Sequence, residues 1–511
     1  MKMKTPQLIA AALVGALAIT SGCAGLQAAE NQTPTDNWKR NHMSFAEVQS
    51  IDSHIGKLRF ENGYPADKET TTKLYDELDF QRATQAVIWS LPAIGCAGFA
   101  DGSFKYFGAT HNDLIFWEGY LDTKSLALTG NNTTLYAVSI LDLAKDGPIV
   151  LDIPPGPTGG MVDDFWWRSQ AMIGLAGPDA GKGGKFLLLP PGYKGDVPTE
   201  GYFVVRCSMN DLNFMIRGFV NDGDLAAAVG IIKKVRVYPY SQRDNPKPNR
   251  FFNATGQPVN TLAPEGMRYW ELLSNMINNN PVDERDRFFL AMLKPLGIEK
   301  GKPFKPDARQ MKILEEAMVV GNSMAAANTF EPRISGATFY PGTQWMSAVL
   351  LDPSQETEYY SQLDERLHWF FIATYMNPSM ALTKPGPGSV YIQSFKDKDG
   401  HWLDAAQNYR LRVPANAPAK QFWSITVYDG MTRSMLPNAA NKAALTSNDK
   451  LKLNADGSVD LYFGPKAPQG LESNWVDTRP SKGFFLWFRS YTPTAAFFDK
   501  SWFLPDIEKV K

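Results

Sequence analysis

Short apolar or alternating runs, each about the length of a strand, recur along two regions of the chain. In the first region, residues 96–240, turn residues such as Gly130-Asn131-Asn132 separate the runs. In the second, residues 336–511, Asp399-Gly400 and Asp456-Gly457 are hairpin signals. Short strands at this spacing are typical of antiparallel β-sandwiches. The pattern therefore predicts two β domains, one in each region.

The predicted strands differ in how their apolar residues are arranged. The run Phe484-Phe485-Leu486-Trp487-Phe488 is apolar on both faces, which indicates a central strand buried inside a sandwich. The other predicted strands cover residues 114–117, 134–141, 149–153, 186–189, 202–207, 235–238, 390–395, 409–413, 422–428 and 459–463.

Apolar positions at helical spacing lie between the two β regions and ahead of them. The middle segment, residues 241–335, holds three predicted helices at residues 267–277, 283–293 and 307–327. Residues 30–95 are predicted to form a polar tether and two helical stretches. The second stretch begins near Asp67, and we expect Pro92 to end it, because proline cannot donate the helical hydrogen bond. The prediction is a mainly β fold with a helical middle domain.

The first 29 residues have the pattern of a secretory signal peptide. Lys2 and Lys4 precede an apolar run at residues 8–19, and small residues follow it up to Ala29. Cys23 lies in a sequence similar to a lipoprotein cleavage box, although Thr20 stands where that box normally has a larger aliphatic residue. Lipidation at Cys23 and ordinary cleavage near Ala29 stay open as alternatives. Both predict export, to the periplasm or to an outer-membrane anchor.

Charge and cysteine content narrow the function classes. The chain has 52 basic and 53 acidic residues, and loss of Lys2 and Lys4 with the signal peptide would leave 50 against 53. This balance does not favour nucleic-acid binding. The signal peptide aside, no segment is apolar enough to suggest a transmembrane helix, and homo-oligomer formation stays open. Cys96 and Cys207 are expected to be buried thiols rather than a disulfide.

No local motif in the sequence specifies a reaction. The five histidines have no zinc-binding spacing, and a G-x-S-x-G nucleophile motif is absent. We therefore expect neither a metal nor a redox cofactor. Asp163-Asp164 is a carboxylate pair, but neighbouring residues on a strand point to opposite sides. A solvated loop pair is the favoured interpretation.

Polar residues within or beside apolar strands are the best candidates for a site, because a buried polar group needs a partner. Arg489 ends the apolar Phe484–Phe488 run, and its guanidinium needs either an internal acid or an anionic ligand. With nearby aromatic residues these positions predict an aromatic-walled pocket for a small ligand. The candidate residues are Arg489, Tyr428, Asn474, Trp423, Trp475 and Arg206.

The sequence also resembles two bacterial families of unknown function, numbered 1254 in the amino-terminal half and 1214 in the carboxy-terminal half. The first resemblance rests on residues 131–136, 141–143, 147–151, 153–154, 177–193 and Arg206. The second rests on residues 422–424, 428–429, 456–458, 463–465, 474–475 and 489–502. The resemblance implies an immunoglobulin-like sandwich, a helical middle domain and a carboxy-terminal jelly roll. It implies no reaction.

Together these observations favour an exported envelope protein of unassigned activity. The favoured function is an enzyme, a hydrolase or lyase without redox cofactor, acting on a small or oligomeric extracellular substrate such as an oligosaccharide. The alternative is a non-catalytic protein that binds a carbohydrate or an apolar ligand, for which an aromatic platform is sufficient. An enzyme would also need a group with a displaced pKa among the polar anchors.

Overall fold

The computed structural model describes residues 49–220 and 223–510. The signal peptide, Cys23 and the tether ahead of residue 49 lie outside the described residues. The chain divides into two units, residues 1–77 and residues 78–511.

The described part of the first unit contains a small antiparallel sheet. Its strands are β1 (Gln49–Ser53), β2 (Gly56–Glu61) and β3 (Tyr64–Pro65), paired in that order. The prediction of a helical stretch ahead of Asp67 is wrong for these residues. Leu58 and Phe60 alternate with polar neighbours, and Gly56 and Gly63 take positive φ angles at the two turns, so the local pattern is that of strands.

A single long helix, α1 (Lys68–Phe107), follows, and Pro92 lies inside it. The expectation that Pro92 ends the helix is wrong. A proline inside a helix costs about 3 kcal/mol, whereas each large apolar side chain that becomes buried contributes about 1.5–3 kcal/mol. Residues 91–100 are all buried, so packing outweighs the lost hydrogen bond. By length and composition α1 could cross a membrane, and 89% of its most apolar window is buried within the protein.

The first β region contains two sheets with a shared core. Its strands are β4 (Leu114–Phe116), β5 (Leu135–Asp142), β6 (Ile149–Ile153), β7 (Thr158–Asp164), β8 (Ser169–Gly174), β9 (Gly184–Leu189), β10 (Phe203–Arg206), β11 (Asp211–Gly218), β12 (Arg236–Pro239) and β13 (Phe251–Asn253). One sheet has the order β13-β4-β5-β11-β7-β8 and the other β10-β9-β6-β12. Most pairs are antiparallel as predicted, but β10 pairs with β9, and β13 with β4, in parallel.

The carboxy-terminal β region is built in the same way. Its strands are β14 (Met346–Ser347), β15 (Ser389–Ser394), β16 (Asn408–Val413), β17 (Trp423–Asp429), β18 (Ala444–Thr446), β19 (Val459–Gly464), β20 (Trp475–Asp477), β21 (Phe484–Tyr491) and β22 (Glu508–Val510). The sheets have the orders β14-β15-β21-β17-β18 and β20-β19-β16-β22. The central position predicted for the Phe484–Phe488 run is confirmed, since β21 lies in the middle of its sheet.

The remaining helices are α2 (Leu143–Asp146), α3 (Leu225–Ile232), α4 (Met267–Asn279), α5 (Arg287–Leu293), α6 (Ala308–Phe330), α7 (Leu363–Phe370) and α8 (Ala495–Phe498). Three of them confirm the predicted helical middle segment. Asp307 caps α6 through a reciprocal capping box with Gln310, as its residue type predicted. The described chain is thus mainly β, with eight helices.

The largest apolar core joins the helices to both β regions. It includes Trp89 of α1, Trp270 of α4, Met215 of β11 and Trp487 of β21. Both β regions therefore contribute residues to one common core, in addition to having cores of their own. The prediction of buried free thiols is confirmed, because Cys96 and Cys207 are both buried and unpaired.

The interpretation of Asp163-Asp164 as a solvated loop pair is wrong. Both residues end strand β7 and are completely buried. Asp164 accepts hydrogen bonds from the backbone N–H groups of Trp166 and Arg168 and forms an ion pair with the Arg168 side chain at 2.8 Å. Local capping and pairing stabilise this buried carboxylate, which residue type alone did not indicate.

Candidate functional site

A cavity lies between the sheet faces of the two β regions. One wall is formed by neighbouring strands β5 and β11, and the opposite wall by neighbouring strands β15 and β21. The cavity volume is about 120 Å³, somewhat below the roughly 150 Å³ of an apolar cavity that binds benzene. The cavity is therefore on the scale of a one-ring ligand.

The alternation of side chains along the strands produces the two walls. On β21, Trp487, Arg489 and Tyr491 point to the cavity, while Phe484, Leu486 and Phe488 belong to the core on the other face of the sheet. Directly opposite Arg489 on β15 is Tyr391. In the other wall, Arg217 of β11 is directly opposite Tyr136 of β5. Each wall thus presents one arginine beside a tyrosine.

The lining is mostly aromatic and apolar. Eight aromatic side chains line it: Phe99, Trp117, Tyr136, Trp369, Tyr375, Tyr391, Trp487 and Tyr491. The charged residues among the described lining are Arg217 and Arg489, with no aspartate, glutamate, lysine or histidine beside them. An aromatic pocket with a few polar anchors is the usual composition of a small-molecule site.

The protein fixes the side chain of Arg489 without pairing its positive charge with a described acidic group. Its side chain is only 3% exposed, and its two terminal nitrogens donate to Thr426 Oγ1 and to the Thr129 carbonyl, both at 2.9 Å. Its guanidinium carbon also lies 5.0 Å from the ring centre of Trp487. No described carboxylate forms an ion pair with it. Burial acts to lower the pKa of Arg489, but neighbouring phenol oxygens, that of Tyr428 foremost, more than offset burial and raise it.

Arg217 has fewer partners than Arg489. It is half-buried, its guanidinium carbon lies 5.4 Å from the ring centre of Tyr136, and its Nε is buried without a hydrogen-bond partner. Within residues 49–220 and 223–510, no acidic group forms an ion pair with Arg217. The guanidinium therefore faces the cavity with donors that the described protein does not satisfy.

The loop at residues 127–131 closes one side of the cavity and is tied to the carboxy-terminal β region. The Tyr428 hydroxyl lies 2.8 Å from the Gly130 carbonyl and 3.2 Å from the Thr129 carbonyl. The Thr129 N–H donates to the carbonyl of Arg433 at 2.8 Å. Thr129 has a φ of 36°, an uncommon backbone angle for this residue type. Tyr428 thus positions the loop rather than lining the cavity.

A buried hydrogen-bond chain supports the wall behind Trp487. Trp487 Nε1 donates to Gln393 Oε1 at 2.7 Å, and Gln393 Nε2 lies 3.2 Å from His368 Nε2. Burial lowers the pKa of His368 to about 4, so the imidazole is neutral at pH 7 and its Nε2 can accept from Gln393. This chain fixes the orientation of Trp487.

A second buried polar group lies below Tyr375. The Tyr375 hydroxyl donates to Asn213 Oδ1 at 3.0 Å, and Asn213 lies opposite Asp163 in the strand register. Neither Asp163 oxygen has a well-aligned hydrogen-bond donor among the described residues, although the Met376 backbone N–H lies close enough to affect it. Burial, and after it Asp164, raises the pKa of Asp163 well above its ordinary value, which the backbone N–H of Met376 offsets only in part. Burial at this position therefore favours the protonated form of Asp163.

The structure brings only part of the predicted residue set to the cavity. Arg489 lines it, and Tyr428 contacts its loop. Asn474 is buried elsewhere, where its side-chain amide donates to the carbonyls of Lys452 and Asp460 at 2.9 Å. It is therefore satisfied by the backbone and has a structural role.

The other three predicted residues also lie outside the cavity lining. Trp475 Nε1 donates to the Gly464 carbonyl at 2.9 Å. Trp423 stacks on Phe488 on the opposite face of β21. Arg206 is exposed at the end of β10.

The sequence-based prediction missed Arg217, although a signal was present. Strand β11 itself was not predicted, although its first residues, Asp211, Leu212 and Asn213, alternate between polar and apolar. Once β11 is recognised, Arg217 is a charge near the end of an apolar strand, the same signal that identified Arg489. Among the described residues, no group of three or more histidine, cysteine or acidic side chains could hold a metal ion.

The comparisons with known proteins agree with this organisation. Residues 111–239 match the family described as "Protein of unknown function (DUF1254)", and residues 388–495 match "Protein of unknown function (DUF1214)". The first is amino-terminal and the second carboxy-terminal, as the resemblance implied, so that prediction is confirmed. No curated protein matches the chain.

Two solved structures are similar to the chain. The VPA0106 protein from Vibrio parahaemolyticus is 20% identical with a TM-score of 0.54, over 85% of this chain and 100% of that one. At this identity the likeness shows the fold alone. An uncharacterised protein from Burkholderia cenocepacia is 12% identical with a TM-score of 0.38, over 88% of this chain and 91% of that one.

Proposed function

We propose that this protein binds a small organic anion in the cavity between its two β regions. The observation that supports this is the presence of two guanidinium groups, Arg217 and Arg489, in one largely apolar cavity whose described lining contains no acidic residue. Taking a charge out of water costs several kcal/mol per ion unless an opposite charge accompanies it. An anionic ligand would supply the missing charge.

The two arginines have different roles in this proposal. The hydrogen bonds of Arg489 to Thr426 and Thr129 fix its position, but neutral acceptors leave its positive charge uncompensated. Arg217 keeps donors toward the cavity, and a guanidinium fork matches two oxygens of one anion. Arg217 is therefore the direct anchor, and Arg489 supplies a second positive charge at a fixed place.

Binding without turnover is the favoured form of this function. The described lining contains no histidine, cysteine or acidic residue that could act as a nucleophile or as a base near neutral pH. The charge of the cavity also favours an anion over a neutral carbohydrate. Hydrolase or lyase activity stays a prediction from the sequence, and screening for turnover tests it.

The direct test is calorimetric titration of the purified full-length protein with a panel of small anions, comparing wild type with Arg217→Met. The matched control is Arg206→Met, which removes an exposed arginine outside the cavity. We expect at least one anion to bind to the wild type and to Arg206→Met but at least tenfold more weakly to Arg217→Met. Equal loss in both variants, or no binding of any anion, would contradict the proposal.

The finer architecture and the location belong to the same proposal. The two paired-sheet regions are compatible with an immunoglobulin-like sandwich at residues 96–240 and a jelly roll at residues 336–511, as the family resemblance implies. Export through the leader at residues 1–29, with Cys23 as a lipid-anchor candidate, would place the cavity in the periplasm. Mass spectrometry of the mature amino terminus distinguishes lipidation from cleavage near Ala29, and a retained Met1 would refute export.

A further inference from the structure

The ring arrangement of the cavity narrows the class of anion. Trp369, Tyr391 and Trp487 form a continuous aromatic cluster, with ring centres 5.7–6.1 Å apart in each pair. The guanidinium carbon of Arg489 lies over two of these rings, 5.0 Å from the ring centre of Trp487 and 5.8 Å from that of Tyr391. The cavity therefore has an aromatic part directly beside its positive part.

The number of available donors also limits the ligand. Each terminal nitrogen of Arg489 already makes one hydrogen bond to Thr426 or Thr129. Of the two guanidinium groups in the cavity, Arg217 is thus the one without described hydrogen-bond partners. A phosphate or sulfate ion would bring four oxygens into a mostly aromatic cavity, and oxygens without donors are costly to bury. A carboxylate has two oxygens in one plane, which a single guanidinium satisfies in bidentate fashion.

We propose that the cavity takes a monocarboxylic acid whose carboxylate is attached to a single planar ring, a ligand of about the size of benzoate. The carboxylate would pair with Arg217 near the fixed charge of Arg489. The ring would lie against Trp369, Tyr391 and Trp487, where aromatic faces and edges give offset or edge-to-face contacts. This inference rests on the proposed function, because it names the ligand class of the same cavity.

Four probes separate the charge from the ring. Benzoate has both features, benzyl alcohol has the ring without the charge, acetate has the carboxylate without the ring, and inorganic phosphate is an anion of another shape. Each is titrated into full-length wild type, Arg217→Met and Arg206→Met at low ionic strength. We expect benzoate to bind at least tenfold more tightly than the other three, and Arg217→Met to abolish that preference while Arg206→Met keeps it.

The outcomes separate this inference from the proposed function. If phosphate binds through Arg217 and benzoate does not, the anion site stands and the aromatic-acid inference is overturned. If benzyl alcohol binds as tightly as benzoate, the ring determines recognition and both the charge assignment and the inference fail. If acetate equals benzoate, the aromatic cluster has no part in binding and the ligand class is wrong. A thermal shift caused by benzoate in wild type but not in Arg217→Met would give independent support.

Discussion

Removing the charge of Arg217 should make the unliganded protein more stable while weakening its ligand binding. The perturbation is Arg217→Met, which keeps an unbranched apolar stem of similar reach but removes the guanidinium. Arg217 makes no ion pair among the described residues, and its Nε is buried without a partner. A half-buried charge in that state keeps only part of the several kcal/mol by which a fully buried charge opposes folding, and its contact with the Tyr136 ring offsets about 0.5–2 kcal/mol of that part. We expect the free energy of unfolding to rise by about 1–2 kcal/mol.

The matched substitution in the opposite wall, Arg489→Met, should lower the free energy of unfolding instead of raising it. Arg489→Met removes two hydrogen bonds from a charged donor, each worth about 1.5–3 kcal/mol, to Thr426 and to the loop at Thr129. Part of this loss is recovered because the buried charge is also removed. We expect the free energy of unfolding to fall by about 2–4 kcal/mol, and the affinity for the anion to fall with it.

The assay is urea denaturation of both variants and wild type without ligand, followed by tryptophan fluorescence, with unchanged m-values as the check that the denatured state is comparable. Calorimetric titration of the same samples measures ligand binding. The reasoning is refuted if Arg217→Met destabilises the protein as much as Arg489→Met does. That result would mean that Arg217 is neutralised inside the protein and is not free to bind an anion.

Three further predictions concern buried groups around the site and the core. Asp163→Asn should raise the free energy of unfolding at pH 7 and lose that advantage near pH 4. The reason is that an acid whose pKa is raised in the folded state destabilises the fold as pH rises above its unfolded pKa of about 3.8. Denaturation midpoints across pH measure the difference between variant and wild type, and a difference that does not change with pH would contradict the prediction. Asp211, whose pKa burial raises to about 6 despite hydrogen bonds from Asn280 and Asn279, should contribute a loss of stability as pH rises from about 4 through 6. Asp211→Asn should remove that part of the pH dependence, and a titration profile identical to wild type would argue against it. Tyr428→Phe should lower the free energy of unfolding by about 1 kcal/mol and weaken anion binding, because the loop carbonyls at Thr129 and Gly130 lose their hydroxyl donor. Denaturation and calorimetric titration of this variant test the two effects. Unchanged binding would mean that the loop does not shape the cavity.

The sequence by itself determined much of the local structure. Alternating and apolar runs identified strands such as β6 and β21, and the capping residue Asp307 marked the start of α6. These features depend on neighbours within a few residues, and periodicity reports them directly. The same reasoning identified Arg489, since a charge at the end of a strand that is apolar on both faces must be accounted for within the fold.

Tertiary structure alone decided where a local sequence pattern fails to predict the structure and which distant residues come into contact. Pro92 lies within α1 because the burial of the residues around it outweighs a lost hydrogen bond, a balance that no local window contains. Asn474 and Arg489 are both buried polar residues, but backbone carbonyls satisfy the first, whereas the second lines a cavity. The partner of Arg489 in that cavity, Arg217, comes from a strand in the other β region. Side-chain direction within a strand is local, but which sheet face lies opposite is set by packing of the whole chain, so only the folded structure could place the two charges together.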